Sequence, residues 1–274
     1  MVATQLAEVP KLPRQPHGFS PLPEQTRIAA DEFTVITLNS LPQLSEDFTQ
    51  IVRYLHQIAI SYASPPPNTK IDDYIVEPMY DVQHTLLGVL AAQREPDHVF
   101  SDAEVLLAES FQLYFWTGTR SLPPQTRLCE LLISRVMKAL LPLLLEASTE
   151  LAFEAGPRMA TIFDDRNNAE YINPVSKDHL FRFLRQPHQV NNAITWALAL
   201  GTLVTAPLLA PEYSWFKEHF QLQLRAMGLH RNQEDWIAFL KLFPITDGYP
   251  APWIDLRSVW RDHGIGRGLH DFSH

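Results

Sequence analysis

A segment of eighteen residues without a charged side chain, from Ala193 to Ala210, constrains the fold of this 274-residue chain most strongly. Such a segment needs apolar surroundings on every side, which a protein core or a lipid bilayer provides. Eighteen residues is the lower limit for crossing a hydrocarbon layer of about 30 Å. The segment contains three threonines, a glycine and Pro207, and no lysine or arginine lies nearby as an interfacial anchor. We therefore expect a buried central helix and no membrane span.

Other apolar segments repeat at the three- and four-residue spacing of an α-helix. The clearest is Gln125–Glu146, which carries leucine or valine on one face at every fourth position from Leu128 to Leu144. Glycine is scarce, with 10 residues, and many of the 22 prolines fall at the edges of apolar segments, where they separate helices. We predict further helices at Glu46–Tyr62, Glu77–Gln93, Asp102–Trp116, Ala193–Ala206, Glu212–Met227, the segment after Asn232, and Ile254–Arg261.

These helices predict an all-α fold, a multi-helix bundle that forms a single helical domain over residues 24–262. We expect a proline-rich, disordered N-terminal leader at 1–23 and a flexible tail at 263–274. Ser45 is the predicted N-cap of its helix, and Gly228 takes the position that often adopts a left-handed conformation after a helix. Residues 161–177 are polar and lack a helical period, so we predict a long loop there.

Composition excludes several classes of function. The single cysteine, Cys129, cannot build a disulfide framework, a cysteine-rich zinc site or an iron–sulfur cluster within one chain. The formal net charge of −9 disfavours direct binding to nucleic acid, whose phosphates select basic surfaces. The first residues lack the pattern of a secretory signal. We therefore expect an intracellular protein, nuclear or cytoplasmic.

Two adjacent acids, Asp164 and Asp165, followed by Glu170, are the most enzyme-like feature of the sequence. Carboxylate oxygens are good ligands for magnesium, and class I terpene cyclases, which are also all-helical, bind a substrate diphosphate through metal on an Asp-Asp-x-x-Asp/Glu motif. Here Asn168 stands at the last position of the motif. The alternative function is a terpene cyclase-like enzyme that uses magnesium on an isoprenoid diphosphate. The simpler interpretation is a solvated acidic loop, with no cofactor and no catalytic residue.

Three further groups of residues have both a chemical and a structural interpretation. Cys129 lies in an amphipathic helix and is expected to be a small core thiol, not a nucleophile. The tail histidines His263, His270 and His274 fit an exposed terminus better than a metal site. Aromatic side chains can line an apolar ligand cavity, although core packing explains them more often. The candidates for such a pocket are Phe111, Phe115, Trp116, Trp196, Phe216 and Phe220.

Three parts of the chain follow one another in a recognisable order. His17–Ser20 with Ser45–Tyr62 forms a proline-flanked early helix, Glu104–Leu141 carries a Leu-Pro-Pro loop between two helices, and Ala193–Leu242 contains tryptophan-bearing helices. In this order they resemble the α-helical regulatory region of fungal zinc-cluster transcription factors. That family builds its DNA-binding module from six cysteines, and this chain has one.

The resemblance implies a helical regulatory domain without its DNA-binding module. In the family, this region is implied to sense effectors, to dimerise or to contact the transcription machinery. We therefore expect the chain to act through protein partners or a small apolar effector that biases two packings of the helices. A homodimer is compatible with this expectation, and a family copy with only a structural role is the remaining alternative.

Overall fold

The computed structural model describes residues 22–65, 72–93, 95, 100–146, 188–208, 211–230 and 233–244. Within these ranges the chain is helical and contains no β-strand, so the predicted all-α fold class is confirmed. A π-helical turn, Phe115–Thr119, continues the fourth helix, and a 3₁₀ turn, Ala206–Leu208, continues the sixth. The α-helices are α1 (Glu24–Ser40), α2 (Glu46–Ala63), α3 (Asp72–Ala92), α4 (Asp102–Tyr114), α5 (Arg127–Glu146), α6 (His188–Thr205), α7 (Pro211–Ala226) and α8 (Gln233–Leu240).

Local signals place most helix ends within a few residues of their predicted positions. Helix α2 begins at Glu46 and Ser45 occupies its N-cap position, both as predicted, but the side chain of Ser45 makes no capping bond. Helix α5 begins at Arg127 because Thr126 caps it, accepting a hydrogen bond from the backbone N of Cys129 at 3.3 Å. Gly228 has a φ of 73°, which confirms the predicted left-handed residue after α7.

Glu104 ties the beginnings of α2 and α4 together. It forms a capping box with Ser101, whose side chain accepts a hydrogen bond from the backbone N of Glu104. The backbone N of Ser101 donates to Glu104 Oε2 at 3.1 Å, and the backbone N of Ser45 donates to Glu104 Oε1 at 3.3 Å. One carboxylate therefore accepts a backbone N–H at the start of each of the two helices.

Helix α6 is the centre of the fold. Every residue from Asn191 to Thr202 is buried, on all sides of the helix. It packs against α4, α5 and α7, so three neighbours supply the apolar surroundings that its sequence requires. The prediction of a buried central helix is confirmed. Across the described ranges, no helix is both long enough and apolar enough to cross a membrane.

Helix α4 is a second, nearly enclosed helix beside α6. It packs against α3, α5 and α6, and its last seven residues include six that are buried. The other helices follow in chain order around this pair, with α1 on α2, α2 on α3, and α7 on α6. A single cluster of buried apolar side chains connects α2 through α8, and α1 reaches it through the partly buried Leu38. Helix α1 lies at the edge of the fold, since its main neighbour is α2.

A continuous chain of aromatic rings fixes α8 to this centre. Trp196 of α6 stacks on Phe243, with ring centroids 4.6 Å apart and an interplanar angle of 2°. On its other side Trp196 meets the edge of Tyr114 at 5.7 Å. The chain of contacts continues from Phe243 through Phe239 and Trp236 to Phe220 of α7. Offset and edge contacts of this kind add about 0.5–1.5 kcal/mol per pair beyond area burial.

Buried polar side chains join distant parts of the sequence. Asn192 Nδ2 of α6 donates to the carbonyl of Ser40, the last residue of α1, at 2.8 Å. Gln223 Nε2 of α7 donates to Thr195 Oγ1 at 3.0 Å and to the carbonyl of Asn191 at 3.2 Å. Because such groups are costly to bury without partners, these bonds specify how α1 and α7 sit on α6.

Several sequence predictions fall outside the described residues. They are the loop at 161–177, the helix Ile254–Arg261, the tail at 263–274, and most of the leader at 1–23. Of that leader the structure describes Leu22 and Pro23, and Leu22 packs against the core.

Helix α7 packs closely on α6 at Gly201. A Cβ atom added at Gly201 would overlap the ring of Phe216, which is fully buried. Gly88 of α3 is a matched control, because an added Cβ there meets nothing within 4 Å. We expect Gly201→Ala to lower the free energy of unfolding by about 1–3 kcal/mol through overpacking. We expect Gly88→Ala to raise it by up to about 1 kcal/mol through helix propensity. Urea unfolding measures both, and equal effects would contradict this packing.

Burial of His56 makes the fold sensitive to acid. Its Nε2 shares a hydrogen bond with Thr37 Oγ1 at 2.7 Å, and Phe33 stacks on its ring at 5.8 Å. Desolvation lowers the pKa of His56 from 6.5 to about 3. Between these two pH values the unfolded chain binds a proton that the folded chain does not. Protonation of His56 therefore does not reduce the free energy of unfolding above pH 6.5, and it reduces this free energy progressively as the pH falls toward 3.

In the wild type, the free energy of unfolding should decrease as the pH falls from 6 to 4. We expect His56→Gln to reduce this slope by up to about 1.4 kcal/mol per pH unit. Denaturant titrations at a series of pH values measure the slope. A wild-type slope that His56→Gln leaves unaltered would show that His56 does not carry it.

Candidate interaction surface

The predicted pocket residues lie in the packed core. Phe111, Phe115, Trp196, Phe216 and Phe220 are each fully buried, and Trp116 packs against the same cluster while remaining half-buried. Two of them, Trp196 and Phe220, belong to the chain of stacked rings described above. The positions support the structural interpretation of these aromatic residues. Their role in binding a ligand stays a prediction.

A shallow groove of about 240 Å³ lies between α4 and α5. It is smaller than the roughly 300–1,000 Å³ of typical small-molecule sites. Two acids and two bases line it, so it offers no net charge that would select one class of ligand. The aromatic pocket candidates are not among its lining residues, which are Asp102, Val105, Glu109, Arg135, Lys138, Ala139 and Pro142.

The candidate magnesium ligands Asp164, Asp165 and Glu170 lie outside the described residues, as do the tail histidines. In the part of the chain that the structure describes, no three histidine, cysteine, aspartate or glutamate side chains are grouped as a metal site would require. The magnesium site of the alternative function therefore stays a prediction.

Helix α1 turns its large apolar side chains toward solvent. Five large hydrophobic residues are exposed in the described ranges, and four of them belong to α1: Ile28 at 54%, Phe33 at 40%, Val35 at 58% and Ile36 at 46%. The side chains that α1 buries are small or hydroxylated, namely Thr26, Ala30, Thr34 and Thr37. An edge helix of a soluble domain normally buries its large apolar residues and exposes its polar ones. Helix α1 departs from this arrangement, because it exposes four large apolar residues beside its charged ones.

Three of the four exposed apolar residues of α1 lie with two polar residues on one continuous strip, which we call the outer face of α1. At 100° per residue, five side chains fall within an arc of about 100°. Phe33 lies outside this arc, and its ring is already stacked on His56. Glu32 occupies the middle of the strip. The outer face consists of Ile28, Glu32, Val35, Ile36 and Asn39, all of them exposed.

Polar bonds attach α1 to the rest of the protein. Asp31 pairs with Arg53 of α2 at 2.8 Å, Thr37 bonds to His56, and the carbonyl of Ser40 accepts from Asn192. Thr34 Oγ1 donates back to the carbonyl of Ala30 at 2.6 Å, which satisfies its hydroxyl inside the contact with α2. These bonds act together with two apolar side chains of α1, Phe33, which stacks on His56, and Leu38, which packs against the core.

Sequence reasoning missed the outer face. Residues 24–40 contain apolar side chains at helical spacing, and a periodic pattern indicates which residues share a face without indicating which face is inside. The signal available in the sequence was the second stripe, Thr26, Ala30, Thr34 and Thr37, whose spacing of three and four residues makes a smooth surface for close helix packing.

Comparison with known proteins gives no relative on which to base an assignment. No model of a protein family, no curated protein and no solved structure matches this chain.

The single thiol, on Cys129, is buried at the start of α5. Burial, with a smaller contribution from the charge of Glu130, raises the pKa of the thiol to about 12. A catalytic cysteine needs a lowered pKa and exposure, so the expected structural role fits this position.

We expect iodoacetamide at pH 8 to alkylate the native protein at least about 100-fold more slowly than the urea-unfolded protein, because the thiolate is the reactive form. Mass spectrometry follows the modification at this one site. Native and unfolded rates within a factor of about two, which would require a free thiol of ordinary pKa, would contradict the burial of Cys129.

Proposed function

We propose that this chain is a helical interaction protein that binds a protein partner on the outer face of α1. The observation that carries the proposal is the exposure of large apolar side chains on α1, which carries four of the five exposed large hydrophobic residues in the described ranges. Contiguous exposed apolar patches commonly mark sites where another macromolecule binds. The partner would supply the burial that the described part of the fold does not provide.

Energetics favour a binding role over chance exposure. Full burial of a leucine-sized side chain stabilises a complex or fold by about 1.5–3 kcal/mol. Ile28, Val35 and Ile36 are each about half exposed and lie on one strip, so a single docking event can bury all three. Scattered single hydrophobic residues on a surface need no explanation. Three within about two turns on one side of a helix form a patch.

The resemblance to fungal regulatory domains suggests a setting for this interaction. In that family the helical region is implied to contact the transcription machinery, to dimerise or to sense an effector. We propose that contact with a protein partner is the retained role and that it serves transcription regulation inside the cell. The chain's acidic character, −9 overall, suits protein contacts better than contacts with nucleic acid.

Photo-cross-linking from the outer face tests the proposal. We expect Val35→benzoylphenylalanine, expressed in the source organism, to cross-link to a defined protein that mass spectrometry identifies. The second substitution Ile28→Asp should reduce the yield at least about tenfold, because a buried charge opposes docking. Val76→benzoylphenylalanine on α3 is the matched control, since Val76 is the fifth exposed hydrophobic residue and lies on another helix.

Absence of any cross-linked protein at position 35 would reject the proposed function. Equal cross-linking at positions 35 and 76 would do the same, because the contact would then not depend on the outer face of α1.

A further inference from the structure

Glu32 lies inside the apolar part of the outer face of α1. It follows Ile28 by four residues and precedes Val35 and Ile36 by three and four, so all three apolar side chains adjoin it on the helix surface. The neighbouring acid Asp31 is occupied by Arg53 at 2.8 Å. Between Ile28 and Asn39 the outer face carries no lysine or arginine. A partner that covers the apolar residues therefore also covers this carboxylate.

The spacing of the apolar residues matches a helix that packs lengthwise on α1. Ile28 and Val35 are seven residues apart, which is the repeat at which two helices of a left-handed pair meet. Glu32 lies between them on the same side. A helix docked along this strip would take the carboxylate out of water. That burial is unfavourable unless a cation is placed against it.

The α1 helix of a second copy does not meet this requirement. In a parallel pair of α1 helices in register, Glu32 faces Glu32 of the other copy. In an antiparallel pair that sets Ile28 against Val35 or Ile36, the centre of the contact falls at Asp31 and Glu32 of both copies. Each orientation brings carboxylates together, and like charges opposed across an interface are costly.

An anionic membrane surface is also a poor occupant. Lipid-binding amphipathic helices carry lysine and arginine beside their apolar face. The outer face of α1 carries an acid there instead, so headgroup phosphates and serine carboxylates would repel it.

We propose that the occupant of the outer face is an amphipathic helix of another protein whose apolar stripe contains a lysine or arginine between two apolar residues spaced one heptad apart. This inference rests on the proposed function and adds the chemistry of the partner. The cation pairs with Glu32, while the apolar residues on either side pack on Ile28 and Val35. The excess negative charge of the chain assists the approach of such a helix.

Binding of designed peptides to the full chain tests this inference. The probes are two stapled helical peptides of about 20 residues, long enough to hold a helix, that have leucines one heptad apart. They differ only at the residue between the leucines, which is lysine in one and glutamate in the other. We expect fluorescence anisotropy to show the lysine peptide binding at least about tenfold more tightly. Glu32→Lys should reverse this preference.

Matched substitutions separate the charge of Glu32 from general effects. Glu218 of α7 is also exposed, and Glu218→Lys should leave the preference for the lysine peptide unchanged. Val35→Asp should weaken the binding of the lysine peptide at least about tenfold, whereas Val76→Asp should not. All four positions are exposed, and circular dichroism verifies that each variant remains folded.

Equal binding of the two peptides, no binding of either, or a preference that Glu32→Lys leaves unaltered would overturn the inference. A dimer in sedimentation equilibrium that Val35→Asp dissociates would also overturn it, because a second copy would then occupy the outer face. The proposed function is judged separately by the cross-link from position 35. A cross-linked partner with no peptide selectivity would leave that function standing and remove only the charge requirement.

Discussion

Enclosure of α6 on all sides is the constraint on which the rest of the structure depends. Twelve consecutive residues, Asn191 to Thr202, are removed from water, so neighbouring helices must cover every face. The threonine hydroxyls in this stretch are satisfied locally or by a neighbour, whereas Asn192 Oδ1 is buried without a hydrogen-bond partner. Thr195 and Thr202 donate back to carbonyls four residues earlier, and Gln223 bonds to Thr195. Such a helix requires a matching neighbour on each face, because an uncovered face would leave a buried polar group without a partner or a cavity.

The sequence predicts the helices well because each depends on local spacing. Runs such as Leu128 to Leu144 identify a helix and its inner face without any knowledge of the partner. The contacts that arrange the helices were not predictable. Asn192 and Ser40 are 152 residues apart, and nothing in either segment indicates that they meet. The aromatic residues illustrate the same limit. Trp196 and Phe243 are both conspicuous in the sequence, but stacking at 4.6 Å is a property of the assembled fold.

The outer face of α1 eluded prediction for a different physical reason. Apolar residues on a helix are expected to face the core, and this expectation fails where burial is achieved by small side chains. The inner face of α1 uses threonine and alanine, which pack closely against α2 and leave the isoleucines and valine outside. Gly201 has the same effect at the centre of the protein, because its lack of a side chain leaves room for the ring of Phe216. In both places small residues determine how closely two helices approach. A hydrophobicity pattern does not identify such residues as packing contacts.

The way in which α1 is attached also determines what a partner on its outer face can transmit. A ligand shifts a conformational equilibrium only by its difference in affinity for the two states. The outer residues contact no other described helix strongly enough to be buried by it, so a docked helix acts on the core through α1 as a body. The bonds that would carry the effect are those of Thr37 to His56 and of Ser40 to Asn192. The second of these reaches α6 directly, so a displacement of α1 along its axis would act on the end of the central helix before it disturbed the apolar core.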